Sequence, residues 1–305
     1  MTEAADRNPA KHFALRTPSD PRMFQISILG ILLAAGAWLR DFAIRPEQSA
    51  LAFAAAIVTQ RLGDRLRGTR HAGLRSALIT ALSLSLLLRA DNLWAHPLAA
   101  AVAIGAKFVL CINGKHVFNP GNLGVIFALL SLPGTWVSPG QWGDDFALAG
   151  WFVALGGLVV HRARRADVTA AFLAFHLGAL GLRVLWLGQR PAVWLHQLQS
   201  GALLLFAFFM ISDPMTIPDH PRGRVAHAAL VAALAYAWQF ALYRPNSLLW
   251  ALFLAAPAVP VWDALWPATK YQWSQQGGSH DEVEGAALGI AGRGSGGFDL
   301  ARRSA

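Results

Sequence analysis

Residues 118–123 read Phe-Asn-Pro-Gly-Asn-Leu, and they begin an apolar run that ends at Pro133. Residues 243–248 read Tyr-Arg-Pro-Asn-Ser-Leu, and their apolar run reaches Pro257. Both segments follow the pattern aromatic-x-Pro-x-x-Leu, at an offset of 125 positions. A second pair, Ser-Ala-Leu from residue 76 and Ser-Gly-Ala-Leu from residue 200, repeats at an offset of 124. Two matches at nearly one offset predict an internal repeat, although apolar segments also resemble one another by chance.

The composition indicates a membrane protein. Of 305 residues, 55% are hydrophobic and only 14% are charged, and the mean hydropathy is +0.40. Soluble domains carry about 25% charged residues, so this chain has too few charges to cover a soluble surface. The apolar content excludes a disordered chain, and the single cysteine excludes a disulfide-stapled secreted fold. The lipid bilayer is therefore the first expected partner.

Ten apolar runs are candidates for crossing about 30 Å of hydrocarbon. They are residues 23–39, 48–60, 75–90, 96–112, 121–133, 146–161, 168–187, 199–211, 224–242 and 246–266. The repeat divides them into five plus five, and an odd number per repeat inverts the second half in the membrane. The predicted fold is therefore an all-α polytopic membrane protein with about ten transmembrane helices in two inverted five-helix repeats. The predicted divisions are 1–22, a cytoplasmic segment; 23–143 and 144–268, the two repeats; and 269–305, a disordered cytoplasmic tail.

The basic residues predict the orientation. With both termini in the cytoplasm, 19 of the 26 Lys and Arg residues fall in cytoplasmic segments. The net charge of +9 is thus explained by topology, without nucleic acid as a partner. The first apolar run has no cleavage site after it and is interpreted as a retained helix, not a signal peptide. We expect a multi-pass protein of the bacterial inner membrane.

The repeat also pairs polar residues at helix ends. On the cytoplasmic side it predicts that Asn119 and Asp213 approach each other. On the outer side it predicts a cluster of Asp91 with Arg244 and Asn246. Each cluster lies where a proline frees backbone groups, which suits a polar ring or an anion. The alternative is that these residues are ordinary caps and turn formers.

Two motifs carry a family resemblance. Residues 114–120, Gly-Lys-His-Val-Phe-Asn-Pro, resemble the F-N-P segment of the RnfD/NqrB family, the flavin-carrying membrane subunits of ion-pumping oxidoreductases. Residues 200–214, from Ser-Gly-Ala to Ser-Asp-Pro, resemble that family's S-G-A-T to T-D-P helix. Residues 21–25 and 136–143 look closer to the stand-alone RnfD-like branch, which includes UnbU-like proteins.

The resemblance implies electron transfer through flavins. Asn119 and Asp213 match the family's cytoplasmic flavin contacts, and His116 lies where the family often has another polar residue. The family's covalent FMN is attached to a threonine in a D-x-x-[ST]-G-A-[ST] segment after helix 5. The loop of residues 134–145 contains no such segment. We therefore expect non-covalent riboflavin or FMN and no covalent FMN. The missing segment also argues against ion pumping as part of a full complex.

Two lysines and the histidines complete the candidate residues. Lys107 lies inside a predicted span, eight residues before Lys115, and could face a cofactor phosphate or a carboxylate, or form a structural pair. Ten histidines keep b-type haem as a minor alternative, whereas the absence of C-x-x-C-H excludes c-type attachment. The sequence contains no Cys/His set with zinc-ligand spacing, so no metal site is predicted.

The sequence therefore predicts an electron-transfer subunit, an expected part of an oxidoreductase complex whose catalytic residues it does not identify. Electrons would pass between a redox partner subunit and quinone or a periplasmic acceptor. The competing prediction is a cofactor-free transporter or assembly protein on the same fold, which the missing covalent site favours. Retention of both the F-N-P and S-D-P turns favours the redox role.

Overall fold

The computed structural model of the chain describes residues 20–39, 43–68, 73–138 and 146–271. Most of these residues lie in twelve α-helices. The helices are α1 (Pro21–Leu39), α2 (Pro46–Arg67), α3 (Leu74–Leu87), α4 (Ala95–Val109), α5 (Pro120–Ser131), α6 (Phe146–Arg162), α7 (Ala166–Trp186), α8 (Pro191–Leu198), α9 (Gly201–Phe209), α10 (Pro221–Phe240), α11 (Ser247–Ala255) and α12 (Val259–Leu265). Prolines begin α2, α5, α8 and α10, where the missing N–H costs no intrahelical bond.

Four short strands form two ribbons. Strand β1 (Leu88–Ala90) pairs antiparallel with β4 (Thr135–Val137), which joins the end of α3 to the segment after α5. Strand β2 (Cys111–Ile112) pairs with β3 (Lys115–His116) in a hairpin. Asn113 and Gly114 form its turn with φ of 53° and 79°, the left-handed conformation that tight hairpins require. The hairpin presents Lys115 and His116 just before α5.

Helix packing follows the same order in the two halves of the chain. In the first half, α2 packs on α4, α1 on α3, and α4 on α5. In the second half, α7 packs on α10, α6 on α9, and α10 on α11. Contacts of α1 with α6 and of α5 with α11 join the halves. Alanines of α2 and α4, among them Ala52, Ala56 and Ala99, are fully buried, and small residues allow the close backbone approach typical of membrane helices.

Three helical segments of the described residues are long and apolar enough to cross a membrane. They are residues 21–38, 166–186 and 247–265, and the last includes a 3₁₀ turn over Ala256–Ala258. Helices α8 and α9 make a fourth if they count as one span bent by 48°. Helices α3, α4 and α5 are apolar but shorter. Length and composition therefore support a polytopic membrane protein.

Each of the ten predicted apolar runs coincides with helical residues. Four differ in detail. The runs at 75–90 and 96–112 end in the strands β1 and β2. The run at 199–211 is preceded by the separate helix α8, and the run at 246–266 is interrupted near Pro257 and Pro260. Proline removes an N–H donor and clashes with the preceding turn, which explains the interruption. Most of the predicted N-terminal segment 1–22, most of the tail 269–305 and residues 139–145 lie outside the described residues.

Candidate functional site

The structure brings Asn119 and Asp213 together, as the repeat predicts. Asn119 caps α5, where its Oδ1 accepts from the Asn122 N–H at 3.0 Å. Its Nδ2 donates to Asp213 Oδ2 at 3.2 Å and lies 3.5 Å from the Met210 carbonyl. The Asp213 Oδ1 accepts from the Met215 N–H at 3.1 Å. We call this pair the Asn119–Asp213 junction, because it joins the turn before α5 to the turn after α9.

Asp213 is desolvated by its surroundings at the junction. Desolvation raises the pKa of Asp213, while the Met215 N–H and the charge of Lys107 oppose the rise. Asn122, one turn into α5, is buried and its Nδ2 donates to the Leu249 carbonyl of α11 at 3.1 Å. Its Oδ1 is a buried acceptor without a partner in the described part of the chain. Asn122 is not among the residues predicted from the sequence, although it follows Asn119 at the capping spacing.

His116 lies on the hairpin next to the junction's turn. Its Nδ1 is 3.4 Å from the Cys111 thiol, whose Sγ also contacts the Lys107 carbonyl at 2.7 Å. Desolvation, with the nearby charge of Lys107, lowers the pKa of His116 to about 4. The imidazole is therefore neutral near pH 7. These side chains form a partly buried, neutral surface beside the charged residues.

Lys107 has neutral direct partners. It is buried in α4, and its Nζ donates to Gln60 Oε1 and Ser76 Oγ, both at 3.0 Å. Gln60 in turn donates to Asp64 at 2.9 Å. The charges of Asp213 and Asp64 also act on the ammonium. Both direct contacts of Lys107 are structural pairs, one of the two predicted possibilities. Asp213 is a carboxylate close enough to interact with Lys107 electrostatically.

Lys115 is bound in an ion cluster that the sequence did not predict. Its Nζ contacts Asp263 Oδ2 at 2.8 Å, Asp219 Oδ2 at 3.2 Å and the Ile217 carbonyl at 2.5 Å. The Asp219 N–H donates to Asp263 Oδ1 at 2.8 Å. This Lys115 cluster fastens the hairpin to the segment before α10 and to α12. A role for Lys115 in cofactor binding stays a prediction.

On the other side of the fold, a cavity of about 730 Å³ lies between the halves. Its walls come from α3, α5, β4, α7, α8, α9, the end of α10 and the start of α11. Arg244 and Asn246, two members of the predicted outer cluster, line it. Asp91 is not among the lining residues; it is exposed, its carbonyl accepts from Arg45, and its side chain lies against Gly134. Arg244 and Asn246, which are two positions apart in sequence, therefore line this cavity, and the predicted third member of their cluster, Asp91, does not.

The second half of the chain matches a known family. Residues 134–272 match the model of the NQR2, RnfD, RnfE family. This part of the chain is similar to RnfD. The RnfD protein of the ion-translocating oxidoreductase complex of Aeromonas hydrophila is 32% identical over 113 residues, covering 36% of this chain and 32% of that protein. The corresponding protein of Haemophilus influenzae is 29% identical over 127 residues, covering 40% and 35%. The alignments thus span about a third of these relatives.

The predicted RnfD/NqrB resemblance is thereby confirmed. The RnfD-related region contains Asp213, Arg244 and Asn246, whereas Lys107, Lys115, His116 and Asn119 precede it. The junction therefore connects a residue inside the matched region with one outside it. Together with the apolar helices, the match supports a membrane protein whose second half is similar to RnfD. The stand-alone, UnbU-like branch stays a prediction.

Proposed function

We propose that this chain is an RnfD-like membrane electron-transfer subunit that binds a non-covalent flavin at the Asn119–Asp213 junction. One observation carries the proposal: the Asn119 amide and the Asp213 carboxylate meet at 3.2 Å between two turns that come from different halves of the chain. The relatives are subunits of an ion-translocating oxidoreductase complex. Other subunits of such a complex are the expected redox partners, with quinone or a periplasmic acceptor as the onward destination.

The residues at the junction fit the polar edge of an isoalloxazine. That edge offers one N–H donor and carbonyl acceptors, so it needs an acceptor and a donor side by side. Asp213 supplies carboxylate oxygens, and Asn119 supplies an amide whose remaining N–H makes only a long contact of 3.5 Å. The unpaired Asn122 Oδ1 is a further buried acceptor in the described part of the chain. An unpaired buried acceptor costs free energy, which a ligand N–H would recover.

A bound flavin supplies the capacity to accept and donate electrons, and the protein supplies its position and surroundings. Asn119 holds Asp213 in place through the 3.2 Å hydrogen bond, and the Met215 N–H fixes the other carboxylate oxygen. The neutral His116 adds no charge to this region near pH 7. Lys107 balances the negative charge of Asp213 from α4.

We also propose that the two halves are inverted repeats with both termini in the cytoplasm of a bacterial inner-membrane protein. The helices of the two halves pack in the same order, which supports this proposal. So does the contact between the N-termini of α5 and α11, made by Asn122 and the Leu249 carbonyl. Helix α5, with 12 residues, is too short to cross about 30 Å singly, whereas α11 continues through the 3₁₀ turn into α12 as one segment of 19 residues.

A cofactor-free transporter or assembly protein is the second candidate function. This alternative is favoured because the residues predicted to bind the cofactor already make contacts within the protein. Asn119 and Asp213 bond each other and neighbouring backbone groups, and Lys115 is bound by two carboxylates. In this alternative, the junction holds the halves together and binds nothing.

The test is flavin content. We expect the full-length chain, purified in detergent, to release riboflavin or FMN on denaturation, detected by fluorescence. Asn119→Ala and Asp213→Ala should each lower the retained flavin roughly tenfold, the consequence of losing a hydrogen bond to a charged or polar ligand group. Size-exclusion elution and thermal unfolding measured on the same samples show whether each variant remains folded.

Asn92→Ala is the matched control, because Asn92 also caps a helix start through its Oδ1, which accepts from the Ala95 N–H at 2.9 Å, but it is exposed. This variant should keep the wild-type flavin content. A folded wild-type protein that releases no flavin would favour the cofactor-free alternative. Flavin that persists in both junction variants would move the binding site elsewhere.

A further inference from the structure

Four connections between helices meet at the end of the fold that carries the β2–β3 hairpin. Lys270, after α12, donates to the carbonyl of Asn113 in the hairpin turn at 3.0 Å. The N–H of Tyr271 donates to Asp219 Oδ1, in the segment before α10, at 3.3 Å. The Arg165 guanidinium, between α6 and α7, lies 4.7 Å over the centre of the Tyr271 ring. These contacts join the hairpin, the α6–α7 turn, the start of α10 and the segment after α12 into one surface.

The charged side chains packed around these contacts are three of each sign. They are Lys115, Arg165, Arg224, Asp167, Asp219 and Asp263. Lys115 contacts both Asp219 and Asp263. Arg224 donates to Asp167 at 2.6 Å. Opposite charges at such distances offset one another, so this layer has no surplus of negative charge.

The exposed charges of the same surface are all positive. Arg164, Arg222 and Lys270 are exposed, and none of them pairs with a carboxylate in the described part of the chain. The described acids that are exposed, Glu47 and Asp91, lie near β1, at the opposite end of α4 from the hairpin. Arg164 also has a φ of 53°, so an arginine occupies a position where glycine would be less strained.

An apolar side chain is exposed beside these cations. Ile112 is 46% exposed on the hairpin, next to Asn113, whose carbonyl binds Lys270. An apolar centre with a charged rim is the composition of a protein–protein interface. We call Ile112, Arg164, Arg222 and Lys270 the hairpin face.

We propose that the hairpin face docks an acidic water-soluble protein. Exposed cations without carboxylate partners are complementary to a surface of aspartates and glutamates, and such complementarity steers association. The face consists of a hairpin and turns at helix ends. Non-helical backbone of this kind does not face the hydrocarbon of a bilayer, so it is open to a soluble partner. That this protein is a redox partner rests on the proposed function.

The hairpin links this face to the proposed flavin site. Ile112 pairs with Lys115 across the hairpin, and Asn119 is four positions further along the chain. Paired strands lie about 5 Å apart and an extended chain gains about 3.5 Å per residue, so the Ile112 and Asn119 backbones are within about 20 Å. A docked protein would therefore lie near a cofactor at the Asn119–Asp213 junction. Docking itself needs no flavin, so the two proposals can fail separately.

The experiment measures binding of a plant-type [2Fe–2S] ferredoxin, a small acidic protein, to the full-length chain in detergent by biolayer interferometry. We expect binding at low salt that weakens as salt screens the exposed charges. The combined variant Arg164→Gln, Arg222→Gln and Lys270→Gln should slow association roughly tenfold, because charges at the rim of an interface act mainly on the association rate. Ile112→Ser should instead speed dissociation about threefold, as expected for a lost apolar contact.

The combined variant Arg45→Gln, Arg190→Gln and Arg244→Gln is the matched control. It removes the same three positive charges from exposed positions at the other end of the fold, beside Asp91 and after α7 and α10. It should bind ferredoxin as the wild type does. Size-exclusion elution and flavin release, measured on the same samples, show that each variant is folded and whether the flavin proposal holds.

Two results would overturn the docking proposal outright: no ferredoxin binding to the wild type at low salt, or equal weakening by the two combined variants. Two others would replace the occupant. Binding of a short-chain phosphatidylglycerol, but not of ferredoxin, that is lost in the hairpin-face variant would assign the face to lipid headgroups. Ferredoxin binding that appears only when Asp281, Glu282 and Glu284 are replaced by their amides would assign it to the chain's own acidic segment.

Discussion

Replacing Lys115 with methionine is expected to destabilise the protein by about 3–5 kcal/mol, the usual cost of breaking a buried ion pair from one side. The variant leaves Asp219 and Asp263 without the Lys115 ammonium, and their side chains are only 5% and 22% exposed. The Ile217 carbonyl also loses its donor. Thermal unfolding in a fixed detergent, followed by tryptophan fluorescence, measures the loss.

Two comparisons separate charge from packing in this prediction. Lys115→Met combined with Asp263→Asn removes one of the stranded charges and should regain part of the lost stability. Lys270→Met is the matched single control, because Lys270 is exposed and donates to the Asn113 carbonyl at 3.0 Å, outside the ion cluster. Equal stability losses for Lys115→Met and Lys270→Met would show that the Lys115 cluster does not stabilise the fold.

The proximity of Asn119 and Asp213 could be predicted from the sequence because it follows from a symmetry. The repeat relates α5 to α11 and α3 to α9, and the topology predicted from it places the start of α5 and the end of α9 on the same, cytoplasmic side, where each carries one polar side chain. The same reasoning placed Asp91 with Arg244 and Asn246 on the outer side. Asp91 does not line the cavity with them, because its N–H donates to the Gly134 carbonyl at 2.9 Å. This hydrogen bond keeps Asp91 beside β1 and β4.

The partners of Lys115 could not be predicted in the same way. Asp263 is 148 residues away in sequence, and no repeat relates the two positions. Asp219 and Asp263 carry no local signal that distinguishes them from surface acids, so their pairing emerges only when the hairpin, the turn before α10 and α12 are placed in space. The cavity was unpredictable for a related reason. Its walls combine elements from both halves of the chain, and periodicity in a sequence reports one element at a time.

Gly124→Ala is expected to destabilise the protein by about 2 kcal/mol, a typical cost of overpacking a tight core. A Cβ at Gly124 would lie 2.9 Å from the Ala99 carbonyl oxygen, 3.1 Å from Ala103 Cβ and 3.1 Å from Leu84 Cδ2. The Ala99 carbonyl belongs to the backbone of α4 and cannot rotate away, so α5 itself must move. Because Asn119 caps α5, this movement should also lengthen its hydrogen bond to Asp213 and lower the retained flavin.

Gly105→Ala is the matched control, since Gly105 is also a helical glycine and nothing lies within 4 Å of its Cβ position. Alanine favours a helix over glycine by about 1 kcal/mol, so this variant should be unchanged or slightly more stable. Thermal unfolding and flavin release measured on both variants test the link from packing to site. If Gly124→Ala lowered stability but left flavin content intact, the position of α5 would not control the junction. If both glycine variants behaved alike, the close approach of α5 to α4 would contribute nothing to either property.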